Sequence, residues 1–284
     1  MTMNLSNIST IRQLLSRHGF QFSKSLGQNF LINPSVCPRM AQQSGADAST
    51  GVLEIGPGIG VLTTELAKVA GKVVTVEVDA RLLPVLEETV GHLSNVQVVH
   101  GDILKLDLSK LLGQYFPDMD VVVCANLPYY ITSPILMALL ESRLPFRSIT
   151  VMVQKEAADR ICAAPGTRAS GAISAAVHYY AAPQVLFPVS RGSFLPAPNV
   201  DSCVIRLDLH PTPPVNVTNE RRFFALIKAA FGQRRKTASN SISAGLGIPK
   251  STVSDALKAL GLPPSIRAEQ LTLEQFTALN EQLL

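Results

Sequence analysis

Residues 121–130 read VVVCANLPYY. An apolar run ends in Asn126, Leu127, Pro128 and Tyr129, and these four types in this order suit the capture of a flat base through its amino group. The Asn126 side-chain oxygen and the Leu127 backbone carbonyl are two acceptors that match the two N–H bonds of an exocyclic amine. Pro128 brings no N–H and a fixed φ, which keeps Leu127 extended and its carbonyl turned outward. Tyr129 offers an aromatic face, and such a face contributes about 1–3 kcal/mol per stacked base. An amine on a purine is a poor nucleophile because its lone pair is delocalised into the ring. Gripping both of its hydrogens turns that lone pair toward an electrophile. A plain β-turn after a strand would use the same Asn and Pro. Tyr130 reads as packing.

A second constellation lies upstream. LEIGPGIGVL carries Gly56, Gly58 and Gly60 directly after a strand pattern. Glycines there permit a sharp turn and let a ligand approach the backbone at the carboxyl end of the strand, where open α/β sheets bind their ligands. Glu77 follows Glu54 by 23 residues, the place of an acid that accepts hydrogen bonds from a ribose diol. Asp102 closes VQVVHGD, where a carboxylate accepts a hydrogen bond from an adenine amino group. NAD and S-adenosylmethionine both present an adenosine to such a site. The pattern E-x-G-x-G-x-G is not the G-x-G-x-x-G that aims a helix at a pyrophosphate, and an acid such as Glu54 suits a sulfonium cation. Asn126-Leu127-Pro128-Tyr129 matches the signature [DNS]-[PIL]-P-[YFW] of enzymes that methylate exocyclic amino groups, and it stands one strand after the acid at 102.

The elements that must position these residues follow from periodicity. VLEI, VVTVEV, VQVVH and VVVCA alternate with VLTTELAKVA, ARLLPVLEETV and LSKLLGQY, the pattern of a parallel sheet with crossover helices. PILMALLES, SITVMVQK and AISAAVHYYA follow, and QVLFPVS and CVIRLDL are expected to pair as a hairpin on an antiparallel edge. The fold class is therefore α/β, a Rossmann-like, mostly parallel sheet with flanking helices, plus a small all-α C-terminal domain. Expected boundaries are 1–209 for the sheet domain, with its N-terminal amphipathic helix STIRQLLSRHG and polar loop QFSKSLGQNFLIN. HPTPPVNVTN at 210–219 is a linker, and 220–284 a helical domain.

Composition narrows the function. No run of eighteen apolar residues and no secretory pattern is present, so neither membrane nor export is expected and the reading is cytoplasmic. Cys37, Cys124, Cys162 and Cys203 form no C-x-x-C pair and the five histidines show no ligand spacing, so no metal is expected and the thiols read as reduced and buried. Residues 1–205 carry 15 basic and 15 acidic side chains, whereas 206–284 carry 10 and 6. The excess points to an anionic partner, most simply nucleic acid. Arg221, Arg222, Lys228, Arg234, Arg235 and Lys236 make six cations with no acid from 221 to 236, a phosphate-contact pattern that a solvated helix face would share. Phe224, Ile227 and Phe231 should face inward. Arg221, Lys228 and Arg235 should share another face if the helix continues past Gly232.

Taken together, GQNFLIN (27–33), LEIGPGIGVLT (53–63), VEVD (76–79), GD (101–102), NLPYYITSPI (126–135), FLPAPNVDSCVIRL (194–207) and FGQRRKT (231–237) resemble the small-subunit ribosomal RNA adenine dimethyltransferases, nearly end to end. The resemblance implies S-adenosylmethionine as cofactor and N6,N6-dimethylation of two adjacent adenosines in the last hairpin loop of small-subunit RNA. It implies cofactor contacts at Asn29, Leu31, Gly56, Gly58, Glu77, Asp102 and Asn126, of which Asn29 and Leu31 carry no chemical signal of their own. Phe194 matches a family position near the target base, although a Pro-rich hairpin whose Phe packs on the core would look the same. The cations at 221–236 would contact ribosomal RNA or the assembling subunit, and a monomer is expected. Three alternatives stay open. One is a large-subunit methyltransferase of the antibiotic-resistance type, another a non-catalytic RNA-binding assembly factor, and a nicotinamide oxidoreductase is the third.

Overall fold

The computed structural model describes residues 3–21 and 27–283. Part of the polar loop expected over 21–33, residues 22–26, lies outside the described residues. The chain divides into two compact units, Met1–Ala158 with Gln184–Leu209, and Asp159–Pro183 with His210–Leu284.

The first unit is built on a seven-stranded sheet. Its members are β2 (Gly51–Ile55), β3 (Lys72–Glu77), β4 (Val96–His100), β5 (Val121–Asn126), β6 (Phe146–Gln154), β7 (Ala181–Val189) and β9 (Ser202–Leu209), in the order β4-β3-β2-β5-β6-β9-β7. β4, β3, β2, β5 and β6 run parallel, and β9 is antiparallel to β6. The crossovers between parallel strands carry α3 (Val61–Val69), α4 (Leu83–Val90), α5 (Leu108–Tyr115) and α6 (Thr132–Glu141). β2 and β5 are buried along almost their whole length, as strands covered on both faces must be, which explains their uninterrupted apolar runs. The expected hairpin partners lie side by side at the β9-β7 edge. Between them sits β8 (Phe194–Leu195), which pairs antiparallel with β1 (Phe30–Leu31) in a separate two-stranded ribbon. Ribbons of two residues carry too little periodicity to be read from sequence. α1 (Ile8–Arg17) is capped by the Asn7 side chain, which accepts from the N–H groups of Ser9 and Thr10, and it buries Ile11, Leu14 and Leu15.

The helical unit holds α8 (Ala172–Tyr180), α9 (Glu220–Phe231), α10 (Ala238–Leu246), α11 (Lys250–Ala259) and α12 (Leu273–Leu283). It takes in Asp159–Pro183 as well as the chain after 209, because Tyr179 and Tyr180 pack with Phe223 and Phe224, with ring centroids 5.1–5.5 Å apart. The Tyr179 hydroxyl also donates to Glu220 at 2.9 Å. Two expectations for α9 need correction. Its buried stripe runs through Phe223, Leu226, Ile227 and Ala230, while Phe224 and Phe231 are only partly covered. The helix stops at Phe231 with Gly232 as its cap, so Arg235 does not continue the face of Arg221 and Lys228.

Gly60 shows how the turn after β2 is set. It caps α3 with φ +87°, and a Cβ placed there would come within 2.6 Å of Val90 Cγ1 and 3.2 Å of Thr89 Oγ1 on α4. The third glycine therefore serves helix packing. Gly60→Ala is expected to destabilise the protein by about 1–3 kcal/mol through overpacking, with left-handed backbone strain adding to it. The midpoint of urea unfolding measures the loss.

Candidate active site

Parallel pairing brings three loops to one edge of the sheet. Ile55 pairs with Val76 and Glu54 with Cys124. The glycine turn leaving β2 thus emerges between Glu77 at the end of β3 and Asn126 at the end of β5. The Gly56 N–H donates to the Val76 carbonyl at 2.9 Å, fastening the turn to β3. A cleft opens there, lined by Asn29, Leu31, Glu54, Gly56, Gly58, Glu77, Asn126, Leu127, Pro128, Tyr129, Tyr130 and Phe194, among others. Apart from Gly60 and Asp102, the two sequence constellations share one cavity.

The glycine turn and its acids form one wall. A Cβ at Gly56, where φ is +69°, would meet nothing within 4 Å, so this backbone faces open space. Gly58 instead lies under the Phe30 ring, 3.1 Å from where its Cβ would stand. Glu77 is 4% exposed, and its carboxylate accepts from the Asp79 N–H at 2.8 Å. Burial pushes its pKa upward, opposed by N–H groups of Asp79, Gly58 and Val78. Glu54 is 1% exposed, and burial lifts its carboxyl to about 7 even though Thr63 Oγ1 donates to it at 2.6 Å. Among the described residues lining the cleft, none is Lys or Arg.

Asn126, Leu127, Pro128 and Tyr129 form the facing wall. The Asn126 side chain and the Leu127 carbonyl have no hydrogen-bond partner among the described residues, while the Leu127 N–H donates to Met152 O at 3.3 Å. Pro128 holds φ −58° and ψ 131°, the extended geometry expected of it. Its carbonyl accepts from the Ile131 N–H and from Thr132 Oγ1, each at 3.2 Å, which makes the loop after it a rigid 3₁₀ turn. The Tyr129 hydroxyl shares a 2.7 Å hydrogen bond with Ser202 Oγ at the start of β9, and burial raises its pKa. The ring is thereby fixed in orientation. Phe194 is 3% exposed and does both things the sequence allowed, packing into the core and lining the cleft.

Asn29 Nδ2 donates to the Gly27 carbonyl at 3.0 Å, and Leu31 is buried opposite Phe194 in the β1-β8 ribbon. Asp102 lies at the end of β4, and its Oδ1 accepts from the Leu104 N–H at 3.1 Å. It is not among the cleft-lining residues. Gly101, just before it, donates its N–H to the Glu77 carbonyl at 2.9 Å, which sets the 101–102 turn beside the end of β3. The six cations at 221–236 are all exposed on the helical unit. Tyr130, which the sequence reading gave as packing, lies against Gly27 on one side of its ring and is otherwise open. It is 59% exposed, because a single-residue step along a 3₁₀ turn, with three residues per turn, points successive rings in different directions.

Sequence reasoning also passed over Gln28, Asp79 and Ser202. Gln28 Nε2 donates to Asp79 Oδ2 at 2.8 Å, which ties the 27–31 stretch to the end of β3. Arg81, through its own hydrogen bonds to Asp79, holds that carboxyl below the usual range. Ser202 meets Tyr129 across 73 residues of chain, and no local pattern marks it. Among the described residues the four cysteines form no disulfide, and Cys162 is partly exposed rather than buried. Among the described residues no cluster of metal-ligating side chains occurs, and no helix is long and apolar enough to cross a membrane.

A parallel sheet with an antiparallel edge, a glycine turn and an N-L-P-Y loop meeting in one cleft define a Rossmann-like methyltransferase. A family model described as ribosomal RNA adenine dimethylase matches residues 19–283. The chain belongs to this family. A protein named ribosomal RNA small subunit methyltransferase A from Lysinibacillus sphaericus (strain C3-41) is 47% identical over 276 residues, 96% of this chain and 94% of that one. Its namesake in Anoxybacillus flavithermus (strain DSM 21510 / WK1) is 46% identical over 287 residues, 100% of this chain and 97% of that one. Among solved structures, a dimethyladenosine transferase from Plasmodium falciparum aligns with a TM-score of 0.74 at 27% identity, covering 89% of this chain and 98% of that chain. The 23S rRNA methyltransferase ErmE aligns with a TM-score of 0.68 at 27% identity, covering 90% and 99%.

Glu54 leaves a pH signature. Its folded pKa of about 7 lies above the ordinary 4.5, so the stability it contributes is full below pH 4.5 and is lost as pH rises to about 7. Glu54→Gln removes that slope. Urea unfolding of both proteins is expected to show the wild type losing ground to the variant from pH 4.5 to about 7, with a constant difference above.

Proposed function

We propose that this protein transfers methyl groups from S-adenosylmethionine to N6 of two adjacent adenosines in the 3′-terminal hairpin loop of small-subunit ribosomal RNA, giving dimethyladenosines during ribosome assembly. The observation that carries the proposal is the opening of Asn126, Leu127 and Tyr129 into the same cleft as Gly56 and Glu77. The relatives named for the small subunit, at 46–47% identity over nearly the whole chain, favour that substrate over the large-subunit one of ErmE at 27%.

The cleft suits the cofactor. Two buried carboxylates and no described Lys or Arg match a cationic, phosphate-free nucleoside and oppose a dinucleotide, whose pyrophosphate seeks backbone N–H groups and cations. Glu77 would accept from the ribose hydroxyls, Gly56 and Gly58 would admit the ligand to the backbone, and Asn29, Leu31 and Asn126 would line it. Asp102, beside the end of β3, would take the adenine amino group. When bound, S-adenosylmethionine supplies an electrophilic methyl on a sulfonium.

The chain's own residues prepare the nucleophile. The Asn126 oxygen and the Leu127 carbonyl, neither committed to another described donor, accept the two hydrogens of N6 and turn its lone pair outward. Tyr129, braced by Ser202, stacks on the base after it leaves its neighbours, and Phe194 closes the slot. Positioning of this kind is worth up to about 7–11 kcal/mol of the barrier. No strong general base is needed, because N6 is acidic once it carries the extra methyl and a positive charge. Arg221, Arg222, Lys228, Arg234, Arg235 and Lys236 would hold phosphates on the helical unit.

Offered labelled S-adenosylmethionine with unmethylated small subunits and, separately, large-subunit RNA, the protein is expected to yield N6,N6-dimethyladenosine in the small subunit only, identified by mass spectrometry. Asn126→Ala should cut kcat about 100-fold or more while RNA affinity holds, in line with the loss of a group that orients the reacting atom; an unchanged kcat would refute the orienting role of Asn126. The double change Arg234→Glu and Arg235→Glu should weaken RNA binding and flatten its dependence on salt, and filter binding across a salt series with unchanged affinity would refute the phosphate role.

A further inference from the structure

Among the exposed large apolar side chains of the described residues, Tyr130 and Val78 are the two that line the cleft, and Tyr130 is the aromatic one. Its neighbours at the slot are committed, Tyr129 through Ser202 and Phe194 through burial in the core. Tyr130 is not. Its hydroxyl has no hydrogen-bond partner among the described residues, and its ring stands 59% exposed. One side of the ring is backed by Gly27, where a Cβ would come 3.3 Å from Tyr130 Cδ1 and 3.7 Å from Pro128 Cβ. That backbone is itself held, because the Gly27 carbonyl accepts from Asn29 Nδ2 at 3.0 Å. The 3₁₀ turn under the ring is closed by the Ile131 N–H to Pro128 carbonyl bond. A rigid, backed and largely exposed aromatic face therefore stands at the cleft, where the described lining offers no cation for a phosphate.

We propose that Tyr130 is a stacking platform for the nucleobase next to the target adenine. This rests on the reading of the cleft as an RNA adenine site and adds a substrate-positioning residue to it. Taking one base out of a strand strips its neighbour of a stacking partner. An aromatic ring outside the slot replaces that partner, and it does so best for a purine, whose face is largest. With two adjacent adenosines as substrate, the base held on Tyr130 during one transfer is the target of the other.

The test is steady-state kinetics of the full-length wild type, Tyr130→Phe and Tyr130→Ala on unmethylated small subunits, with cofactor affinity measured by titration. Loss of one stacked base should raise KM for the subunit in Tyr130→Ala about 5- to 100-fold, with kcat changed far less. Tyr130→Phe, which keeps the face and loses the hydroxyl, should restore KM, and cofactor affinity should be the same in all three. An unchanged KM in Tyr130→Ala overturns the proposal. Equal damage in both variants overturns it too, because the hydroxyl would then be the contact, and a parallel fall in cofactor affinity would make the ring a cofactor wall instead. If the wild type itself leaves small subunits unmethylated, the reading of the cleft fails and the platform fails with it; activity in the wild type with an indifferent Tyr130→Ala defeats the platform alone.

Discussion

The register of four parallel strands is the constraint on which the site depends. Glu54 on β2 lies opposite Thr75 on β3 and Cys124 on β5, and Asn126 opposite Met152 on β6. In a parallel sheet all strands end at the same edge, so the turns that follow them emerge together. A slip of one residue between β2 and β5 would invert the faces of the strand and carry Asn126 away from the cleft. The buried Val, Leu and Cys side chains of β2 and β5 oppose such a slip, since it would exchange the neighbours of every one of them.

The chemistry of the cleft follows from which groups are charged and which are not. Two carboxyls are buried on the glycine side, where desolvation raises both their pKa values, and a cation arriving there relieves that cost. The other side offers only neutral acceptors, an amide oxygen and a main-chain carbonyl. Neutral acceptors orient an amine without protonating it or pairing with it as a salt bridge. Rigidity then comes from small, ordinary bonds. Ser202 fixes the Tyr129 ring, Thr132 and Ile131 close the turn on the Pro128 carbonyl, and Asp79 holds Gln28 at the opposite rim.

Much of this was legible in residue order. The alternation of apolar runs with amphipathic stretches located the seven strands of the large sheet and the crossover helices, and the glycine turn, Glu77 and Asn126 were placed together because strand ends in a parallel sheet converge. Other parts were not. The packing of Tyr179 and Tyr180 on Phe223 and Phe224 draws 159–183 into the helical unit, a contact between segments some forty residues apart that no periodicity records. Helical spacing pointed to Phe224, Ile227 and Phe231 as the inward face, yet the buried stripe keeps Ile227 and sets Phe223 and Leu226 in place of the other two. Gly232 ends α9 where the charge pattern could equally have run on.

By itself, then, the sequence determined which chemistry was on offer: two acceptors and a ring after one strand, glycines and acids after two others, and cations gathered in the last quarter. Those are properties of residue type and local spacing, which a linear chain carries in full. Only the tertiary structure decided that Tyr130 stands open while Phe194 is buried, that Glu54 turns to Thr63 while Gly56 faces open space, and that Asp102 caps its own turn outside the cleft lining. The physical reason is that exposure and hydrogen-bond partnership are settled by whichever distant segment arrives at a residue's surface, and such arrivals leave no mark in the residues on either side of it.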